Sequence, residues 1–152
     1  MKTQTWKWTS PILVAGLVVI SGVQPARAEK SLYDRLGGQP AIGAVASGLV
    51  DRILLDDRVN KWFAHAAAST ENANAYKAKL ADFICQNTGG PCNYTGRDMV
   101  SAHKGRAVTG EAFDAVVQDL VGVLDQLKVP EKEKGEVLAI LGPLKTVIVQ
   151  KK

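Results

Sequence analysis

The chain has 152 residues, 46 % of them hydrophobic and 22 % charged, with 19 Lys and Arg against 15 Asp and Glu. That is enough chain for one domain around one core. The net charge of +4 suggests nucleic acid only until it is located: Lys2, Lys7 and Arg27 sit in an acid-free opening stretch, and beyond it 16 bases face 15 acids. No basic face of the size that nucleic acid demands is left.

Residues 1–28 read as a signal peptide. Lys2 and Lys7 give a positive start, and PILVAGLVVISG at 11–22 is a mostly apolar core, shorter than the about 20 residues of a membrane span. Ala26-Arg27-Ala28 supplies the small-x-small pattern of a cleavage site. A cut after Ala28 leaves residues 29–152 as a single domain, periplasmic or secreted, that meets a membrane only through its leader. An uncleaved N-terminal anchor is the alternative.

Ser31 to Leu36 is a brief helical start stopped by Gly37-Gly38. Pro40 then opens a helix whose apolar positions Ile42, Val45, Ala46, Leu49, Val50, Ile53 and Leu54 recur at helical steps. Asp56-Asp57 interrupts it, and Val59, Trp62 and Phe63 form a tight apolar turn. Residues 64–75 are small and polar, a loop grading into the next helix, about Asn74 to Gln86, with Tyr76, Leu80, Phe83 and Ile84 on one side. Gly89-Gly90-Pro91 ends that helix. After an irregular stretch comes a short segment ending in His103. Thr109 caps a long helix with Phe113, Val116, Val117, Leu120, Val123, Leu124 and Leu127 on its apolar face. Pro130 opens one last helix running through Val137, Leu141, Leu144 and Ile148. Only the β-branched tail TVIV at 146–149 competes for strand, so the expected class is all-α.

Cys85 and Cys92 would lie in an oxidising compartment if the leader is real, which opens a disulfide to them. The fold must then bring their Cα atoms within about 7 Å. They do not form C-x-x-C-H, so covalent attachment of a c-type haem is not indicated.

Several chemistries are set aside. A Gly-rich phosphate loop with its lysine is missing, and Gly89-Gly90 follows a helix where a cradle would precede one. Cys85 with His103 as nucleophile and base would lack an orienting third group. His65, Cys85, Cys92 and His103 match no common zinc spacing. One histidine is enough for a haem iron, however, because the porphyrin supplies four nitrogens and the protein need only add an imidazole and an apolar slot. Phe63, Leu80, Phe83, Ile84, Phe113, Val116 and the last helix offer such a slot.

The order of features is more specific. LYDRLGGQPAIGAVASGLVDRILLDDRVNKWF, then GGPCNYTGRDMVSAHKG, then FDAVVQDL and VPEKEKGEVLAILGPL, resembles group 1 truncated haemoglobins from about Ser31 to Val149. The resemblance implies a two-over-two helical sandwich around one haem b, with His103 as proximal iron ligand and Phe63, Phe83, Tyr94, Met99, Phe113 and Val116 among the haem contacts. The family usually has Phe-Tyr where this chain reads Leu49-Val50, and often a glutamine where it has Leu80. Val50, Tyr76 and Leu80 are therefore the expected distal pocket, with the two usual hydrogen-bond donors to an O2 ligand missing. Tyr76 is the residue that could replace them. Lys79 is expected to reach a haem propionate or, as a neutral amine, the sixth iron site.

The resemblance implies reversible binding of O2, NO or CO by an exported protein, for oxygen transport or storage. Turnover of NO with O2 or reduction of a nitrogen oxide is the enzymatic alternative, with an unknown electron donor, and a haem-based gas sensor is another. A helical module that binds no haem is the third reading, and a Soret band separates it from the others.

Overall fold

The structure, a computed structural model, describes residues 29–150. The expected signal peptide, residues 1–28, lies outside the described residues. These form eight α-helices and two 3-10 turns, with no strand among them.

Helix α1 (Leu32–Leu36) begins where the Ser31 hydroxyl accepts the Asp34 amide at 3.1 Å. It stops at Gly37, whose φ of +108° is reached cheaply only by glycine. Helix α2 (Gly38–Leu55) follows at once, burying Ile42, Val45, Ala46, Leu49, Val50 and Ile53. Each of the valine, leucine and isoleucine side chains among these contributes roughly 1.5–3 kcal/mol relative to exposure. The extended Asp56 ends it.

The apolar turn expected after α2 is a 3-10 turn, Asn60–Phe63. The loop expected at 64–75 is mostly helix: α3 (Ala64–Ala67) and then α4 (Thr70–Asn87), whose first residue precedes the expected start at Asn74. The physical reason is local. Alanine is the best helix former, and the Ser69 hydroxyl caps α4 by accepting the Asn72 amide at 3.1 Å. Helix α5 (Met99–His103) is a single turn capped by Asp98, and α6 (Gly110–Gln126) is capped by Thr109 as its sequence implies. The expected single last helix is two, α7 (Glu131–Leu141) and α8 (Lys145–Ile148), joined by a 3-10 turn at Gly142–Leu144. Pro143 explains the break, having no N–H to continue the ladder and a ring that crowds the preceding turn. The β-branched tail stays helical through Ile148, and only Val149 turns extended.

Helix α2 packs on α4 and on α6, and α6 carries α7 and α8. Ile42, Val59, Leu120, Leu124 and Cys85 lie at its most deeply buried points. Helices α2 and α6 approach closely at Gly48, where a Cβ would come within 3.0 Å of Val123. Arg35 pins α1 to α7 by ion pairs with Glu133 and Glu136. Cys85, at the end of α4, is joined by a disulfide to Cys92 in the following loop, with the Cα atoms 5.8 Å apart.

Candidate functional site

Between the helices lies a cavity of about 290 Å³, close to the roughly 300 Å³ at which small-molecule sites begin. One side is built by the turn after α2 and by α4, through Phe63, Tyr76, Leu80 and Phe83. The other is built by the loop before α5, by α5 and by α6, through Tyr94, Met99, His103, Phe113 and Val116. These nine residues, scattered from 63 to 116 in the chain, meet around one space.

Two residues expected at the site do not reach it. Leu49 and Ile53 line the cavity from α2, whereas Val50 is buried at 1 % exposure without forming its wall. A helix turns about 100° per residue, so the face that presents 49 and 53 carries 50 off to the side. The same rotation takes Lys79 away from the row of Tyr76, Leu80 and Phe83 and leaves it exposed outside the wall. Val50 is therefore corrected as a wall residue, its place taken by Leu49 with Leu80, and Lys79 does not line the cavity where the sixth-site expectation would need it, while its exposed position leaves the propionate expectation standing. Trp62 and Arg106 also line the cavity, and neither was expected there. Their signal was adjacency, Trp62 beside Phe63 and Arg106 one turn past His103.

The glycines of the loop explain how Tyr94 is placed. A Cβ at Gly96 would lie 2.2 Å from the Tyr94 ring, so the ring folds over a residue that must lack one. Gly90 is equally hemmed in, its Cβ position being 2.5 Å from the Tyr33 ring and 2.6 Å from Cys85 Sγ. With the loop so packed, the Tyr94 amide donates to Gln86 Oε1 at 2.7 Å and its hydroxyl to the Arg97 carbonyl at 3.0 Å. The ring meets Phe83 edge-on, centroids 5.3 Å apart.

Asp98 then starts α5 by accepting the Ser101 amide at 2.9 Å. Those hydrogen bonds from Ser101 hold the Asp98 carboxyl below its ordinary range. One turn later His103 Nδ1 lies 2.8 Å from the Met99 carbonyl oxygen. A carbonyl can only accept, so in the neutral imidazole Nδ1 carries the proton and Nε2 has the lone pair that a metal requires. His65, the other histidine, is exposed on α3 and does not line the cavity.

The Tyr94 hydroxyl donates to the Arg97 carbonyl, whereas the Tyr76 hydroxyl has no hydrogen-bond partner among the described residues. Burial among its neighbours, chiefly, pushes its hydroxyl up to about 12. It still has 36 % of its surface accessible, which is consistent with a residue enclosed by protein and facing an internal space. Phe63 steadies it edge-on at 5.6 Å.

Among the described residues no three His, Cys, Asp or Glu side chains gather to hold a metal. A metal at this wall must bring most of its ligands with it. An apolar slot with one imidazole, its Nδ1 engaged by a main-chain carbonyl, fits a haem.

Comparison with known proteins agrees with that chemistry. A profile of the family described as bacterial-like globins matches residues 31–150. The chain is similar to the group 1 truncated hemoglobin GlbN of Mycolicibacterium paratuberculosis, 33 % identical over 114 residues that cover 75 % of this chain and 80 % of that protein. It is 36 % identical over 116 residues to the group 1 truncated hemoglobin GlbN of Synechocystis sp., covering 74 % of this chain and 90 % of that one. Its structure superposes with a TM-score of 0.70 on the 2/2 hemoglobin from Synechococcus sp. PCC 7002, solved in the cyanomet state with covalently attached heme. That match has 28 % identity and covers 79 % of this chain and 98 % of the other.

Proposed function

The chain belongs to the bacterial-like globin family, and from that premise we propose that it is an exported b-type haem protein, with one haem per chain, that binds O2 and other diatomic ligands reversibly. The observation that carries the reading is His103: its Nδ1–H is committed to the Met99 carbonyl at 2.8 Å, on the wall of an apolar cavity. Bound there, haem would supply an iron with one coordination position for O2, NO or CO. His103 would hold it through Nε2, and the hydrogen bond at Nδ1 orients the ring and makes it a better donor. Leu49, Leu80 and Phe83 keep water from the opposite side. Arg106 is the cation on the wall and would meet the haem carboxylates.

Reversible binding is favoured over nitrogen-oxide reduction because, among the described residues, the cavity is lined by no carboxylate and no lysine. Reduction consumes protons, and this wall offers few groups to deliver them. Export is supported by the leader pattern of residues 1–28 and by the Cys85–Cys92 disulfide, a bond that persists in oxidising compartments. The test is the visible spectrum of the haem-loaded protein in its ferric, ferrous and CO forms, followed by mixing of the O2 form with NO. A Soret band with reversible O2 and CO spectra supports the reading. Rapid, catalytic consumption of NO with a returning electron donor would move the assignment to the enzyme.

A further inference from the structure

The two sides of the cavity are joined at its edge by a hydrogen bond that the haem reading does not itself require. The Trp62 indole Nε1–H donates to the Arg106 carbonyl at 3.0 Å. Trp62 stands on the turn after α2, beside Phe63, and Arg106 on the loop after His103, 44 residues away in sequence. Both residues line the cavity, and the bond itself is solvent-exposed. It therefore spans the rim and not the interior.

The loop that accepts this bond is unusually constrained. Gly105 and Ala107 both have positive φ, +77° and +52°. For alanine that conformation is unfavourable and persists only where neighbouring contacts impose it. Four hydrogen bonds do so from three directions. The Arg106 amide donates to the His103 carbonyl at 3.1 Å. The Ala107 amide donates to Gln150 Oε1 at 3.2 Å, and the Gln150 amide donates to the Val108 carbonyl at 2.9 Å. Trp62 adds the tie from the far side of the cavity. Lys61 Nζ lies 4.2 Å from the centroid of its indole ring and further limits its motion.

We infer that Trp62 is a latch across the rim of the cavity, a positioning residue that couples the Phe63 turn to the His103 segment and sets how fast haem is lost. This inference rests on the haem reading above. For haem to leave, the rim must widen, and widening between these two segments breaks the Trp62–Arg106 bond. The acceptor is a main-chain carbonyl, so the donor is the group that substitution can remove.

The experiment uses the haem-loaded protein and follows haem transfer to an excess of an apo-globin acceptor at neutral pH. Three versions are compared: wild type, Trp62→Phe, and the chain with benzothienylalanine at position 62, which keeps the shape of the indole and replaces only its N–H by sulfur. Loss of one exposed, neutral hydrogen bond is expected to speed haem loss about three- to tenfold. The ferrous iron–histidine stretching frequency should shift as the His103 segment relaxes, while the melting temperature of the haem-free chain stays near that of wild type. Equal transfer rates for wild type and the sulfur isostere overturn the latch even if Trp62→Phe folds poorly. So does a parallel fall in haem-free stability with no change in the iron–histidine frequency, since that is a packing role. A wild-type chain that takes up no haem overturns the functional reading and the latch together, whereas haem uptake with equal rates overturns the latch alone.

Discussion

His103 and Met99 share a side-chain-to-backbone hydrogen bond, Nδ1 to carbonyl oxygen at 2.8 Å, within a helix only one turn long. The bond does for this chain what a longer helix would otherwise do: it fixes the imidazole when few backbone contacts can. His103→Ala removes the nitrogen proposed to hold iron and should leave the helices on either side intact. The altered protein should lose tight haem retention while its far-ultraviolet circular dichroism stays helical. Purification with full haem and an unchanged visible spectrum would refute the assignment, because His65 is the other histidine and lies outside the cavity.

Tyr76 is the second test of the pocket. Of the tyrosines on the wall, Tyr94 already donates to the Arg97 carbonyl, and Leu49 and Leu80 have nothing to donate. The Tyr76 hydroxyl is left. Its raised pKa, about 12, keeps it protonated as a donor at neutral pH, and it should remain so up to strongly alkaline conditions. A donor to an O2 ligand that takes on negative charge is worth roughly 1–3 kcal/mol, or about ten- to hundredfold in the rate of release. Tyr76→Phe should speed O2 release by about that factor and CO release much less. Equal O2 release rates in the two proteins would show that the pocket holds O2 without a tyrosine donor.

Much of this was legible in the sequence because the signals are local. Gly37, Thr109 and the spacing of Ile42 to Ile53 each specify their element through nearest neighbours. The histidine segment was legible through its glycines, whose reason the structure supplies: Gly96 lies under the Tyr94 ring and Gly90 between Tyr33 and the disulfide. What stayed hidden depends on rotation about a helix axis. Leu49 and Val50 are both apolar and both buried, and only the packing of α2 on α4 and α6 decides which one faces the cavity. The Trp62–Arg106 bond was invisible for a different reason, since its acceptor is a main-chain atom that no side-chain pattern announces.

Asp119 offers a stability test away from the pocket. One of its carboxylate oxygens is buried without a hydrogen-bond partner, near Asp56, which Arg58 already engages at 2.6 Å. Burial, chiefly, and then the Asp56 charge raise the Asp119 pKa above its ordinary value. A carboxyl with a raised folded-state pKa favours folding below its unfolded value, about 3.9, and that contribution is lost as pH rises through the folded value. Asp119→Asn removes the charge and adds an amide donor, so it should stabilise the protein by about 1 kcal/mol at neutral pH. The gain should shrink towards pH 4. Chemical denaturation of both proteins at the two pH values measures it, and a destabilised variant at pH 7 would show that the carboxylate is held by a contact its geometry does not reveal.

The last test concerns the bridge between Cys85 and Cys92. It closes a short loop, the cysteines lying seven apart in sequence, and it pins the end of α4 to the loop that carries Tyr94. Because Cys85 is fully buried, reductant should reach the bond slowly in the folded protein and readily in the denatured one. By loop-closure entropy so short a loop contributes roughly 2.5 kcal/mol, less than the roughly 3 kcal/mol of a 15-residue loop. Replacing both cysteines with alanine should lower unfolding stability by about that amount. It should also loosen Tyr94, whose amide donates to Gln86, the neighbour of Cys85, and so ties the same two segments that the bridge joins. Thiol labelling of the protein under denaturing, non-reducing conditions decides the matter directly. No reactive thiol is expected, and two per chain would remove both the bridge and the support it gives to export.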